Sequence, residues 1–220
     1  MYGLLISTGI LIASLLAERQ AKLKHMNTDI MWEGLMVATI FGILGARLYH
    51  VLDFWELYKL NPIQIIQIYK GGLGIYGALI FGFLSTYVYL KLKKQNIWSW
   101  LDLGTHVLPL GQAIGRIGNF FNGELLPFAI YESILDFILF LVLYKIYPKI
   151  AINQGQTTKL YLLGYACIRL ALEGARNDGW VVGDIHIANL VSLVIIIVIS
   201  LDYVIHSIRP WGLQNKTKDN

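Results

Sequence analysis

The sequence predicts an all-α membrane protein, a bundle of seven transmembrane helices with its N-terminus outside and its C-terminus inside. Three observations predict this fold class: the composition, the number of long apolar segments, and the placement of the cations. Of the 220 residues, 56% are hydrophobic and 15% are charged, and the mean hydropathy is +0.56. This balance is typical of a multispan membrane protein and excludes an ordinary soluble domain.

Seven apolar segments are long enough, or nearly so, to cross a hydrocarbon core about 30 Å thick. They cover residues 2–17, 30–52, 72–92, 101–121, 128–147, 160–174 and 187–208. The first segment is short but is interpreted as a span rather than a signal peptide, because no cation precedes it and no small-residue cleavage site follows it.

The cations set the predicted orientation. With the N-terminus outside, inner loops and the C-terminal tail contain twelve Lys and Arg residues and the outer loops contain three. Inner loops of membrane proteins carry the excess of positive charge. The three outer cations are Lys59, Lys70 and Arg176.

The seven spans and their loops are predicted to form a single transmembrane domain over residues 1–211. Residues 53–70 mix aromatic and polar side chains and are predicted to lie as a helix or loop in the outer interface. Residues 212–220 are predicted to be a disordered cytoplasmic tail. No basic stripe with interleaved aromatic residues indicates nucleic acid, and no spacing of histidines and carboxylates indicates a metal. No cofactor is expected, and Cys167 is interpreted as a buried structural thiol.

The most informative segment is residues 115–124, which places Arg116, Asn119, Asn122, Gly123 and Glu124 at the outer end of the fourth span. A charge inside a membrane span costs about 3 kcal/mol or more and usually marks a site. Arginine with neighbouring amides suits a phosphate, bound by paired charge-assisted hydrogen bonds. Asn122 and Gly123 resemble a helix stop that exposes backbone donors. The alternative is that Arg116 and Glu124 pair to hold the helix end.

The sixth span repeats this theme with Arg169, Glu173 and Arg176, spaced i, i+4 and i+7 on one helix face. Glu173 can orient the Arg169 guanidinium and leave donors free, so that two arginine helices could hold one phosphate. A structural ion pair between spans is the alternative.

Other polar groups are placed less specifically. Residues 71–77 are rich in glycine, which permits close backbone packing and would let Tyr76 face a cavity. Tyr2 is a second candidate phenol, although interfacial anchoring is the commoner role of a tyrosine. Glu132 and Asp136 are interpreted as a structural network that pairs with an intramembrane arginine.

These motifs together resemble the prolipoprotein diacylglyceryl transferase family over nearly the whole chain. Residues 115–124 match the family pattern Gly-Arg-x-Gly-Asn-Phe-x-Asn-Gly-Glu at every defined position. Shorter matches occur in order at Tyr2-Gly3-Leu4, Gly45-Ala46-Arg47, Gly71-Gly72, Tyr131-Glu132 and the series Arg169, Glu173, Arg176.

The resemblance implies transfer of the diacylglyceryl group of phosphatidylglycerol to the lipobox cysteine of prolipoprotein signal peptides, with release of glycerol-1-phosphate, in the bacterial inner membrane. Arginines would stabilise charge on the phosphate that leaves, and a cationic pocket would favour the thiolate. The implied catalytic residues are Arg116, Arg169, Glu124 and Tyr76. The implied residues that bind phosphatidylglycerol are Tyr2, Arg116, Asn119, Asn122, Gly123, Glu173 and Arg176.

The chain departs from the family pattern at two places. Tyr76 stands where the family usually has a histidine, and a phenol is a weak base at neutral pH. Only Leu125 and Leu126 separate Glu124 from Pro127, so most of the family's outer head segment is absent. Two alternatives therefore stay open: a phospholipid-binding relative with weak or no catalysis, and a small lipid or anion transporter.

Overall fold

A computed structural model describes residues 2–124, 126–150, 155–173, 181–183 and 185–208. Nearly all of these residues are helical, so the all-α class is confirmed, and a two-stranded antiparallel hairpin is the one addition within the described residues. The helices are α1 Tyr2–Leu23, α2 Thr28–Asp53, α3 Trp55–Tyr58, α4 Ile75–Leu92, α5 Ile97–Thr105, α6 Leu108–Phe121, α7 Phe128–Ile146, α8 Gln156–Glu173 and α9 Ile187–Ile208. The strands are β1 Val181–Val182 and β2 Ile185–His186.

Four of the described helices are long and apolar enough to cross a membrane: α1, α2, α4 and α9. Large apolar side chains along α4 and α9 are exposed, including Leu79 and Val198. Such a surface is unfavourable in water and suits lipid contact.

The prediction that the fourth span is one continuous helix is wrong. α5 ends at Thr105 and α6 begins at Leu108, with Pro109 in its first turn. Proline lacks an N–H donor and its ring clashes with the carbonyl four residues earlier, so a helix cannot run unbroken through this position. α6 has 14 residues, so it is about 21 Å long, which is shorter than the hydrocarbon core.

Residues 53–70, which are predicted to lie in the outer interface and are called the outer segment below, are irregular. The outer segment contains α3 and two short 3₁₀ helices, Pro62–Ile66 and Ile68–Lys70. The predicted tail, residues 212–220, lies outside the described residues.

The chain divides into two compact units, and each is described by itself. The terminal unit comprises residues 1–17 and 101–220, and the inserted unit comprises residues 18–100. In the inserted unit, α2 packs along α4. A Cβ added at Gly77 would lie 2.1 Å from the carbonyl oxygen of Gly45, so neither helix tolerates a side chain at this crossing. The glycines thus permit the close backbone packing that the sequence predicts.

In the terminal unit, α7 packs against α6 and α8, and α8 packs against α9. Asp102 fixes the start of α8, because its carboxylate accepts hydrogen bonds from the backbone N–H of Thr158 at 2.8 Å and from its hydroxyl at 2.7 Å. A carboxylate at a helix N-terminus is favourable. Cys167 is exposed on α8, so the prediction of a buried thiol is wrong.

Candidate functional site

The C-terminal end of α6 forms the stop that the Asn122-Gly123 pair predicts. The N–H of Gly123 donates to the carbonyl of Phe120 at 3.0 Å, and the N–H of Glu124 donates to that of Asn119 at 2.9 Å. Gly123 has a φ of +73°, the left-handed geometry typical of a glycine after a helix. Because these N–H groups bond back to the helix, the expectation that the stop exposes backbone donors is wrong.

Three helices of the terminal unit bring a group of alternating charges together. Arg116 on α6 donates from Nη2 to Oε1 of Glu132 on α7 at 2.8 Å. Arg169 on α8 places Nη1 3.6 Å from the same Glu132 oxygen, and its Nη2 donates to Glu173. We call these four residues the arginine cluster. Two guanidiniums therefore share one carboxylate, which holds the two cations close to each other.

The arginine cluster balances its charges internally and keeps hydrogen-bonding capacity. Glu132 and Glu173 are each 1% exposed, whereas the side chains of Arg116 and Arg169 are 22% and 17% exposed. A buried carboxylate requires a cation, and here Glu132 has two and Glu173 has one. Arg116 donates only from Nη2 among the described contacts, so its other N–H groups have no acceptor within the described part of the chain. The two arginines are therefore the partly exposed members of the cluster, and Arg116 keeps donors that no described residue accepts.

Glu124 does not pair with Arg116, so the alternative of a helix-end ion pair is wrong. Its carboxylate accepts from Nδ2 of Asn119 at 2.7 Å and from Nδ2 of Asn122 at 3.4 Å. Among the described contacts, it orients no arginine. The two asparagines of the motif thus hold the acid at the end of α6.

The interpretation of Glu132 and Asp136 as partners of an arginine is confirmed for Glu132 and wrong for Asp136. Asp136 is fully buried, and neither carboxyl oxygen has a hydrogen-bond partner among the described residues. The central place of Glu132, shared by Arg116 and Arg169, was missed by sequence reasoning. The Tyr131-Glu132 match to the family pattern was the signal that could have revealed it.

The other predicted site residues are not brought to the arginine cluster within one unit. Tyr76 is on α4 of the inserted unit, half exposed, with its ring 5.9 Å from that of Tyr49. Tyr2 begins α1, and its side chain lies outside the described part of the structure. Arg176 also lies outside the described residues.

The fold defines a class of protein, a multi-pass helical membrane protein, in which α6, α7 and α8 bring two arginines and two buried glutamates together. A family model for prolipoprotein diacylglyceryl transferase matches residues 1–205. The chain belongs to this family, which confirms the resemblance read from the motifs.

Relatives over most of the chain have the same family name. A phosphatidylglycerol–prolipoprotein diacylglyceryl transferase of Finegoldia magna is 36% identical, over 89% of this chain and 86% of its own length. Proteins of that name from Trichormus variabilis and Clostridioides difficile are each 35% identical, over 87% and 88% of this chain and 80% and 85% of their own lengths. The similarity therefore extends well beyond the central motif.

Proposed function

We propose that this protein transfers the diacylglyceryl group of phosphatidylglycerol to the cysteine thiol of prolipoproteins, a transferase step in lipoprotein biosynthesis. Its family and the names of its relatives support this activity. The single observation in the structure that carries it is the arginine cluster. Two guanidiniums on separate helices share Glu132 and keep donors for a phosphate.

In the proposed complex, Arg116 and Arg169 bind the phosphate of the lipid from two helices. Glu173 is the positioning residue for Arg169, because it accepts from Nη2 of the guanidinium while Nη1 lies near Glu132. Asn119 and Asn122 hold Glu124 at the end of α6, where its carboxylate can orient the headgroup hydroxyls or receive a proton. Gly123 permits that turn, and Tyr2 and Arg176 contribute to headgroup binding.

The proposed chemistry forms a bond between the cysteine sulfur and the terminal glyceryl carbon of the diacylglyceryl group. The bond between that carbon and the phosphate oxygen breaks, and its electron pair leaves with glycerol-1-phosphate. The arginines stabilise the additional negative charge on the leaving phosphate, which is the charge that develops in the transition state. The thiol proton passes to Glu124 or to the phosphate, and the Tyr76 phenol serves as a hydrogen-bond donor.

We further propose a topology of seven spans, with the N-terminus outside, in the bacterial inner membrane. The twelve-to-three distribution of loop cations supports this orientation. Residues 53–70 then lie in the outer interface, beside the bilayer that supplies the lipid. The acceptor is a prolipoprotein signal peptide with a lipobox cysteine.

The function is tested with purified protein in phosphatidylglycerol nanodiscs and a synthetic lipobox peptide. Mass spectrometry should detect a peptide adduct that carries the mass of diacylglyceryl, and the aqueous phase should contain glycerol phosphate. A serine peptide in place of the cysteine peptide is the matched control and should give no adduct. Failure to form adduct under conditions where the lipid binds would reject the transferase.

That outcome would favour the second candidate, a phospholipid-binding relative without catalysis. The observation in its favour is Tyr76, which replaces the histidine expected from the family pattern. The two candidates differ in turnover and agree in lipid binding, so the adduct decides between them.

A further inference from the structure

A second cationic site is built entirely within the inserted unit, between the end of α2 and the outer segment. A cavity of about 240 Å³ there is lined by side chains that include Arg47, His50 and Lys70. Among the described residues that line it, none is acidic. A concave surface with cations and no acid concentrates negative charge.

Arg47 is the buried element of this cavity, and it is 6% exposed. A guanidinium has five N–H donors. Four contacts are made by these donors, all to the backbone carbonyls of Gln64, Ile65, Gly71 and Gly72. These acceptors are neutral, and no carboxylate pairs with Arg47 among the described residues. The charge of Arg47 is therefore stabilised by carbonyl dipoles, and the described residues that line the cavity carry net positive charge.

The geometry around Gly72 brings the imidazole to the same place. A Cβ at Gly72 would meet Nη1 of Arg47 at 2.7 Å and Cε1 of His50 at 2.9 Å, so only glycine leaves room for both side chains. Nδ1 of His50 lies 2.9 Å from the hydroxyl of Tyr58, which holds the ring in place. Lys70 is exposed at the end of the outer segment and adds a donor at the cavity.

We propose that this cavity binds a phosphate-bearing anion, such as a lipid headgroup or a soluble glycerol phosphate. The cavity is smaller than pockets for drug-sized ligands, which begin at about 300 Å³, and suits a headgroup. Apolar side chains flank it in sequence: Ile66 is 76% exposed and Tyr69 is 81% exposed. They provide a surface for acyl chains. The site requires residues of the inserted unit alone, so the inference goes beyond the transfer proposed for the arginine cluster.

The test is hydrogen–deuterium exchange of the full-length protein in nanodiscs, followed on peptides that cover residues 58–74. Inorganic phosphate and glycerol phosphate are titrated into nanodiscs of uncharged phosphatidylcholine, and separate nanodiscs contain phosphatidylglycerol. We expect protection of these peptides in at least one arm. Protection by the soluble anions identifies a phosphate-ester site, and protection by the lipid alone identifies a headgroup site.

Lys70→Gln should raise the anion concentration needed for half-maximal protection about tenfold. This is the factor expected for the loss of one charge-assisted contact. Lys59→Gln is the matched control, because Lys59 is an outer cation that pairs with Glu56 and does not line the cavity. It should change affinity by less than about twofold, in line with the small contribution of surface ion pairs. His50→Gln should also weaken binding.

Absence of protection with all three probes, or equal effects of Lys70→Gln and Lys59→Gln, overturns the proposal. The adduct assay is run on the same variants with Arg116→Ala as reference. Loss of transfer with protection of residues 58–74 intact would reject the proposed function alone. Loss of protection with transfer intact would reject this site alone.

Discussion

Arg47 and Arg116 are both arginines in apolar segments, and the two units satisfy them in different ways. Arg47 gives its donors to backbone carbonyls of one loop, while Arg116 uses a single nitrogen for a carboxylate that a second arginine shares. The first arrangement fixes a loop against a helix. The second fixes the positions of the two guanidiniums and leaves the N–H groups that do not bind the glutamates available.

The comparison shows that burial of an arginine in an apolar segment does not by itself identify the role of that arginine; its hydrogen-bond partners do. A charge that binds many neutral acceptors mainly stabilises the backbone around it. A charge paired with a buried carboxylate is held at a defined position, and its unused donors are oriented before any ligand arrives. On this comparison, substitution of Arg116 should affect turnover most, and substitution of Arg47 should affect folding most.

The largest effect is expected for Arg116→Ala. Turnover in the adduct assay should fall about a hundredfold to a thousandfold, because a donor to the developing phosphate charge is lost. Arg116→Lys is the control; it keeps the charge without the planar fork and should retain part of the activity. Near-normal turnover of Arg116→Ala would remove the cluster from the proposed chemistry.

For Arg47→Ala, we expect the free energy of unfolding to fall by about 3 kcal/mol or more, because four backbone carbonyls lose the guanidinium that they share. Chemical denaturation in mixed micelles measures this loss. Lys59→Ala, at an exposed position, should stay within about 0.5 kcal/mol of the parent. A stable Arg47→Ala protein would contradict the view that Arg47 fixes the loop.

Two glycines in left-handed geometry sharpen the comparison of the surrounding loops. Gly72→Ala should destabilise by about 3 kcal/mol, since backbone strain adds to overpacking against Arg47. Gly123→Ala should destabilise by about 1 kcal/mol, since its φ is also positive but open space surrounds it. Gly111→Ala is the control inside α6; its Cβ meets nothing within 4 Å, and it should be neutral or stabilising. Equal losses at positions 72 and 123 would argue against the tight packing of Arg47 and His50.

The smallest effect is expected for Tyr76→Phe. Loss of one neutral hydrogen bond to the reacting groups corresponds to about 1 kcal/mol and lowers turnover about fivefold. Stability should not change, because the side chain is half exposed and its hydroxyl has no partner among the described residues. Tyr76→His, measured in the same assay, should raise turnover by supplying a base. Equal turnover in all three proteins would exclude position 76 from the reaction.

Much of the site could be predicted because its motif is local. Arg116, Asn119, Gly123 and Glu124 lie within nine consecutive residues, so helix geometry and turn chemistry already place them together. The break between α5 and α6 was missed, although Pro109 signals it, because hydropathy continues across the turn. Hydropathy reports the surroundings of a segment and does not report the continuity of its helix.

By itself, the sequence determined the fold class, the family and the arginines, because composition and short-range spacing carry that information. Only the tertiary structure decided which partners these charges have. Glu132 pairs with both Arg116 and Arg169, and Glu124 accepts hydrogen bonds from two asparagines. Arg47 donates to backbone carbonyls. The physical reason is that a buried ion pair depends on how helices distant in sequence pack, and a carboxylate at one position could satisfy several arginines until packing selects among them.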